Sequence, residues 1–345
     1  MDLEKELATL LGTPMRERLP ADKIPCKETS DSGKLCRHPL VSIVMLTFNH
    51  EPYIREAIEG ILMQKTDFEF ELLIGEDASA DRTREICFEY QKKAPDKVRV
   101  LWSEENLFAI SGNGIRTMAR CRGELLAFCE GDDFWADPCK LQKQVDLLRR
   151  DKAVMCVAFN KVRYTDGREE ESLYAKKPFL DEGDFLKHYF HTSTYLIRKE
   201  AYDQAFKRYG RIDNRSDATV AVCMASMGPV SLLPEIVSVY RRTGKGIATS
   251  RTRQIMKFML LRQFVPLYLY GPPKVRRRLG LNILSTVVGF CDPNKPGFSR
   301  EIFESKKASI DRIFFYMVRK TFPSLHALNS LERMIRYRIQ MKVRG

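Results

Sequence analysis

The residues whose types could do chemistry lie in three short clusters. Thr47, Phe48 and Asn49, with Glu51 just beyond, close one apolar run. Glu76 and Asp77 close a second. Glu130, Gly131, Asp132 and Asp133 close a third, inside the stretch CEGDDFW at 129–135. Three carboxylates around one glycine repel each other unless something positive sits among them. A divalent cation is the fitting partner, because Mg²⁺ and Mn²⁺ prefer oxygen ligands. They take one or two carboxylates and let substrate phosphates complete the shell. Such an ion offsets the charge that develops on a departing diphosphate. Taken alone, such a cluster is more often a solvated acidic turn than a catalytic one. Taken with the other two, it reads as part of a site.

The elements that must position these clusters alternate. VSIVMLTF from 41 is a nearly continuous apolar run, as in a strand covered on both faces. Ile54, Ala57, Ile58, Ile61 and Leu62 then make the single stripe of an amphipathic helix. FELLIG at 70–75 is a second strand, and Asp81 can cap a helix running to Lys93. VRVLW at 98–102 is a third strand. A helix from Gly112 to Arg122 is expected to stop at Gly123, and LLAFC at 125–129 is a fourth strand. Asp137-Pro138 reads as cap and first residue of the next helix, followed by a fifth strand, VMCVAF at 154–159. This order predicts an α/β domain on a mainly parallel sheet. Such sheets bind ligands at the carboxyl ends of their strands, where the strand order switches. All three clusters fall at such ends.

Composition narrows the class. The chain has 345 residues, 44% hydrophobic and 30% charged, enough for a sizeable core without staples. Nine scattered cysteines do not make a secreted disulfide framework, and a reducing, cytoplasmic setting is expected. Cys26 and Cys36 lack a second Cys or His pair at zinc-finger spacing. MDLEKELATLL does not read as a signal peptide, and no apolar run is long enough for a membrane span. The net charge of +13 is uneven: residues 251–345 hold 20 Lys and Arg against 5 Asp and Glu, and the rest is near neutral. Neither GxGxxG after the first strand nor a Walker-type loop is present, which weakens dinucleotide and P-loop readings.

SIVMLTFNHEPYIREAIEGILMQ, LLIGEDASADRTREI and RGELLAFCEGDDFWADPCKLQKQVD, in that order and spacing, resemble the family 2 glycosyltransferases. The resemblance runs from about 41 to 150 and more loosely to about 250. It implies a GT-A fold: a Rossmann-like, mainly parallel sheet for nucleotide-diphospho-sugars. It also implies an inverting transfer, a nucleotide-sugar donor, here a UDP-sugar, and a divalent metal, Mn or Mg. Carried onto this chain, it puts Thr47, Asn49 and Glu51 at the nucleotide end of the first strand. Asp77 would contact base or ribose, with Glu76 beside it. Glu130, Asp132 and Asp133 occupy the family's DxD position, Glu130 replacing the first Asp. Asp132 and Asp133 are the implied metal and diphosphate ligands. Asp81 matches the family's D-[GA]-S-x-D loop.

The second half supplies the acceptor side of the resemblance. HTSTYLIRK at 191–199 is similar to an acceptor-side strand, with Thr192 to Ile197 β-prone and His191 either a partly buried polar residue or a substrate contact. Asp217 matches the general base that opens a helix, with Asp213 as fallback; a first-turn acid is also favourable there without catalysis. After SVYR the family often has a His, where this chain has Thr243. Either Arg241, Arg242 or Lys245 would then meet the diphosphate instead, or the loop is only a basic surface turn. The expected organisation is an arm or linker at 1–40, a transferase domain at 41–250 and a basic helical region at 251–345.

The function so implied is sugar transfer to a glycan or lipid-linked acceptor, in cell-surface polysaccharide or glycolipid synthesis. The basic region would either pack on the catalytic domain or hold the enzyme peripherally on the anionic cytoplasmic face of a membrane. Two rivals are a sugar nucleotidyltransferase and a non-catalytic basic protein that binds membrane or RNA. The first usually has a Gly-rich, Arg-bearing phosphate loop that FNHEPYI does not resemble. Against the second, the basic segment lacks aromatic RNA platforms, so no nucleic-acid partner is expected.

Overall fold

The strands run in the order that places all three clusters on one edge. In the computed structural model, described at 19–107, 112–174, 177–210, 212, 216–244, 253–290, 313 and 316, the chain divides into two units. One comprises residues 18–208 and 221–245. The other comprises 1–17, 209–220 and 246–345.

The first unit is built on a sheet of eleven strands among the described residues. Its centre is β2 (Val41–Thr47), β3 (Phe70–Glu76), β4 (Val98–Trp102) and β5 (Leu125–Phe128), in the spatial order β4-β3-β2-β5 and all parallel. The chain winds outward from β2 to β4, then returns to the other side of β2 to form β5. That reversal makes a switch point between β2 and β5, where a crevice opens beyond the carboxyl ends. Val41, Ile43, Met45, Leu72 and Ile74 are fully or almost fully buried, as double-sided burial requires of such apolar runs. Helix α1 (Ile54–Leu62) lays Ile54, Ala57, Ile58 and Ile61 on this core, and α2 (Thr83–Lys93) adds Ile86, Cys87 and Tyr90.

The sheet continues through β10 (Leu196–Arg198), β7 (Met155–Tyr164), β11 (Val230–Arg242) and β6 (Phe134–Trp135). β7 and β11 form another long parallel ladder. The antiparallel pairings are short, as in β10 with β5 and with β7, and β1 (Lys27–Thr29) with β4. Short hairpin-like additions, β8 (Glu169–Ser172) on β7 and β9 (Phe179–Leu180) on β11, complete it. The sheet is therefore mixed, with its long ladders parallel.

Several boundaries differ from the sequence expectation. Helix α3 is Gly112–Met118, not to Arg122, because the N–H groups of Arg122 and Gly123 donate to Glu71 and Ser42 side chains rather than to helix carbonyls. Helix α4 is Lys140–Arg150; Asp137 accepts the Cys139 N–H at 2.9 Å and makes a turn before the helix instead of capping it. β7 extends to Tyr164, five residues past the expected end, because β11 and β8 pair with the extension. Thr192–Thr194 is a 3₁₀ turn, not strand, since His191 accepts the Ser193 N–H through its ring; only Leu196–Arg198 is strand.

Two short helices lie between these strands, α5 (Glu182–Phe185) and α6 (Lys199–Arg208). Helix α7 (Asp217–Ala225) begins in the second unit and ends in the first. Within the second unit, α8 (Arg253–Tyr270) packs on α9 (Arg276–Phe290), burying Leu261, Val265, Leu267, Leu279 and Ile283. No helix among the described residues is long and apolar enough to cross a membrane. The basic stretch from 291 onward, including the expected stripe from Ile310 to Val318, lies outside the described residues apart from Ile313 and Tyr316.

Candidate active site

The crevice is built from two loops that lace into one another. β2 ends in Thr47, and Asn49 turns the chain in the left-handed region at φ 55°, which Asn tolerates better than most residues. The Asn49 N–H donates to Ser79 Oγ at 2.9 Å, and Asn49 Oδ1 accepts the Ala80 N–H at 2.8 Å. The Glu51 N–H donates to Asp81 at 3.1 Å, and Glu51 accepts the Arg82 N–H at 3.1 Å. Asp81 also accepts the N–H and hydroxyl of Thr83. It thus supports the start of α2 from one residue before the cap. Glu76 is fully buried, taking the Ser79 N–H on one oxygen and Arg84 Nε on the other, both at 2.6 Å.

These bonds sort the expected nucleotide ligands. Asn49, Glu51 and Glu76 have their side chains engaged in holding the loops. Asp77 lies deeper in the fold's edge, with its Oδ1 accepting the Leu107 N–H at 2.8 Å. No described residue pairs with its second oxygen. Burial raises the Asp77 carboxyl above its usual range, against the lowering pull of the Leu107 N–H and Arg116.

The acidic turn meets this lattice at Gly131. A Cβ there would collide with Thr47 Oγ1 and His50 Nδ1, so glycine is what lets the turn close against β2. His50 joins the two halves: Nδ1 lies 3.2 Å from Thr47 Oγ1, and Nε2 lies 3.8 Å from Asp132 Oδ2. Burial lowers the His50 pKa, while Asp132 and Asp81 oppose it. Sequence reasoning missed His50, although its place between Asn49 and Glu51 was signal enough.

The two aspartates expected to act alike are unlike. The Asp132 side chain is 17% exposed and that of Asp133 is 1%. Asp133 Oδ1 accepts the Arg241 N–H at 2.8 Å, and Oδ2 lies 3.4 Å from His191 Nε2. Burial, reinforced by Asp132, pushes the Asp133 carboxyl well above the usual carboxylate range. His191 is itself held by Ser193 Oγ at 2.7 Å and stacks on Tyr240 at 4.4 Å. Asp133, expected as a metal ligand beside Asp132, stands here with its oxygens facing β11 and His191.

Arg241 is likewise internal. Nη1 donates to the Asp132 carbonyl at 2.8 Å, Nη2 pairs with Glu56, and the guanidinium lies over Phe134 at 4.4 Å. Arg241, one of the residues expected at the diphosphate, stands here as a brace across the turn. Arg242 is exposed, with its guanidinium 5.7 Å from the Tyr164 ring. Lys245 and Asp213 lie outside the described residues. Asp217 is the first residue of α7, as expected of a helix-opening acid, and belongs to the second unit. Glu130 is half-buried.

Among the described residues, no group of three or more His, Cys, Asp or Glu is placed to hold a metal ion. The donor set suits an ion held by few protein atoms. Asp132 carries the more exposed carboxylate of the aspartate pair, and Mg²⁺ and Mn²⁺ accept one or two carboxylates with phosphate and water completing the shell.

Residues 42–206 match the family described as Glycosyl transferase family 2. "Uncharacterized protein Rv1520" of Mycobacterium tuberculosis strain H37Rv is 34% identical over 223 residues, covering 63% of each chain. The chain thus spans under two thirds of that relative's length. A "Putative teichuronic acid biosynthesis glycosyltransferase TuaG" of Bacillus subtilis is 24% identical over 64% of this chain and 85% of its own. Among solved structures, S. aureus TarS 1-349 in complex with UDP-GlcNAc aligns over 88% of this chain and 89% of its own, with TM-score 0.57 and 16% identity. That likeness concerns the fold, which is GT-A.

Proposed function

We propose, from the premise that the chain belongs to glycosyl transferase family 2 through residues 42–206, that it transfers a sugar from a nucleoside-diphosphate donor to an acceptor hydroxyl with inversion. The observation that carries this is the convergence of Thr47, Asp77 and Asp132 on the carboxyl edge of β2, β3 and β5, at the switch in strand order. Asp77 would accept a hydrogen bond from base or ribose through its second oxygen. Asn49, Glu51 and Glu76 would act by keeping the two loops in register around the nucleotide. Our choice of donor is a UDP-sugar.

Asp132 would hold the divalent cation, which when bound supplies positive charge against the departing diphosphate. Asp217 would take the proton from the acceptor hydroxyl as that oxygen attacks the anomeric carbon. General-base help of this kind is typically worth about 10² to 10⁴ in rate. The attack from the face opposite the leaving group inverts the anomeric configuration. Lys245 and Arg242 remain candidates for diphosphate contact.

The acceptor we assign is a glycan or lipid-linked glycan of the cell surface, reached from the cytoplasmic face of the membrane. Between Glu235 and Asp292 the chain has eleven basic residues and no acidic one. Lys274, Arg276, Arg277 and Arg278 are exposed at the start of α9, with Leu281 beside them. Such a surface suits anionic headgroups. Thermal stabilisation by a panel of UDP, GDP and dTDP, with and without Mn²⁺, tests the donor reading. A shift with one nucleotide that needs the metal supports it, and no shift with any member counts against it.

A further inference from the structure

A lysine lies sealed beneath the acidic turn. Lys140 has no exposed surface, although lysine is almost never fully buried without a partner. Its Nζ donates to Gln144 Oε1 at 2.7 Å and sits 4.0 Å from the centre of the Trp135 ring. Cation–π attraction of this kind strengthens when water is excluded. Cys129 just past β5, Cys156 of β7 and Asp137 are the titratable groups acting on it.

What this pair touches leads back to the site. The Trp135 indole N–H donates to the Ser193 carbonyl at 3.0 Å. Gln144 Nε2 donates to the Thr194 carbonyl at 2.7 Å. The 3₁₀ turn at 192–194 is thus gripped from two directions, by Trp135 of β6 and by Gln144 of α4. That turn follows His191, which faces Asp133, and Ser193 Oγ lies 2.9 Å from Ser238 Oγ on β11. Trp135 also pairs with Ser238 across β6 and β11. Trp135 thus meets both supports of Asp133: the turn after His191 through its indole N–H, and β11 through its strand pairing.

We propose that Lys140 and Gln144 are positioning residues for the acidic turn: by clamping Trp135 and the 192–194 turn, they set where Asp132 and Asp133 stand. The consequence for donor binding rests on the transferase reading above, but the clamp itself does not. Neither residue touches substrate in this account.

Hydrogen exchange of the full chain tests it. Lys140→Met keeps side-chain length and volume while removing the ammonium and its donors. The Arg241 amide, which donates to Asp133, is expected to exchange about 10-fold faster in that variant, with Leu73 in β3 unchanged. A second readout uses a Trp102→Phe background, which leaves Trp135 as the remaining tryptophan of two. Burial brings the Lys140 pKa down to about 7, so Trp135 emission should show a step near that pH, and Lys140→Met should abolish it. Unchanged exchange at Arg241 overturns the positioning role, whatever the emission does. If Lys140→Met fails to fold, Gln144→Met decides by the same Arg241 measurement. Neither readout needs a nucleotide, so failure of the clamp and failure of the transferase reading are separable.

Discussion

Asp133 and Arg241 are joined through the backbone as well as through a neighbour. The Arg241 N–H donates to Asp133 Oδ1 at 2.8 Å, while the Arg241 guanidinium donates to the Asp132 carbonyl at 2.8 Å. One residue of β11 thus fixes both halves of the aspartate pair, and leaves Asp132 the more exposed carboxylate. This relationship separates roles that adjacent, identical residues conceal.

Asp132→Asn and Asp133→Asn should therefore fail differently. Asp132→Asn is expected to remove metal-dependent nucleotide binding with little change in melting temperature. Asp133→Asn should chiefly lower stability, by about 1–3 kcal/mol, because a buried acceptor site between Arg241 and His191 is disturbed. Calorimetric binding and urea denaturation on both variants check this. The reverse pattern would return Asp133 to the role of metal ligand.

Arg241→Met is expected to destabilise by about 2 kcal/mol, since the Asp132 carbonyl loses its donor and Phe134 its stacked guanidinium. Arg241→Lys should recover little, because one ammonium cannot reach Asp132, Glu56 and the Phe134 face together. A urea midpoint for Lys equal to that of Arg would contradict the brace.

Ala78 has φ 60°, a left-handed conformation that costs a residue with Cβ roughly 1–2 kcal/mol. The latches from Glu76 and Asn49 to residues 79 and 80 hold it there. Ala78→Gly relieves the strain but adds roughly 0.5–1 kcal/mol of unfolded-state entropy. A net gain of about 0.5 kcal/mol is expected from denaturation curves; a loss would mean that the Ala78 methyl contributes more than the strain removes.

Lys140 makes stability depend on pH in a definite direction. Burial depresses its folded-state pKa from 10.5 to about 7, so between those values the unfolded chain binds more protons. The penalty is fully present below about pH 7 and is relieved as pH rises toward 10.5. Compared with Lys140→Met, the unsubstituted chain should gain stability from pH 7 to 9. Parallel urea midpoints for the two proteins across that range would contradict the buried-amine account.

Replacing Lys274, Arg276, Arg277 and Arg278 together by Gln should weaken binding to vesicles containing phosphatidylserine, at roughly 1 kcal/mol per basic residue. Co-sedimentation at fixed ionic strength measures this. Equal binding by both proteins would assign these residues no part in membrane attachment.

The central fold was legible because its strands are apolar on both faces and its helices carry one stripe each. VSIVMLT and IREAIEGIL could hardly be read otherwise, and the carboxyl-end rule then gathered Thr47, Asp77 and Asp132. The periphery was not legible. β10 is three residues inserted antiparallel between β5 and β7, with no local pattern to announce a partner in sequence or direction. Side-chain roles were obscured for the same reason. Arg241 and Asp133 are 108 residues apart, and only their meeting in space shows that Arg241 braces the acidic turn. No local pattern marks Lys140, which the structure buries against Trp135.

The most direct measurement of the central claim is isothermal titration of UDP into the full chain with and without Mn²⁺, repeated on Asp132→Asn. Tight binding is expected only with the metal present, with at least a tenfold loss, about 1.4 kcal/mol, in the variant. Binding that ignores Mn²⁺, or that survives Asp132→Asn unchanged, would contradict it.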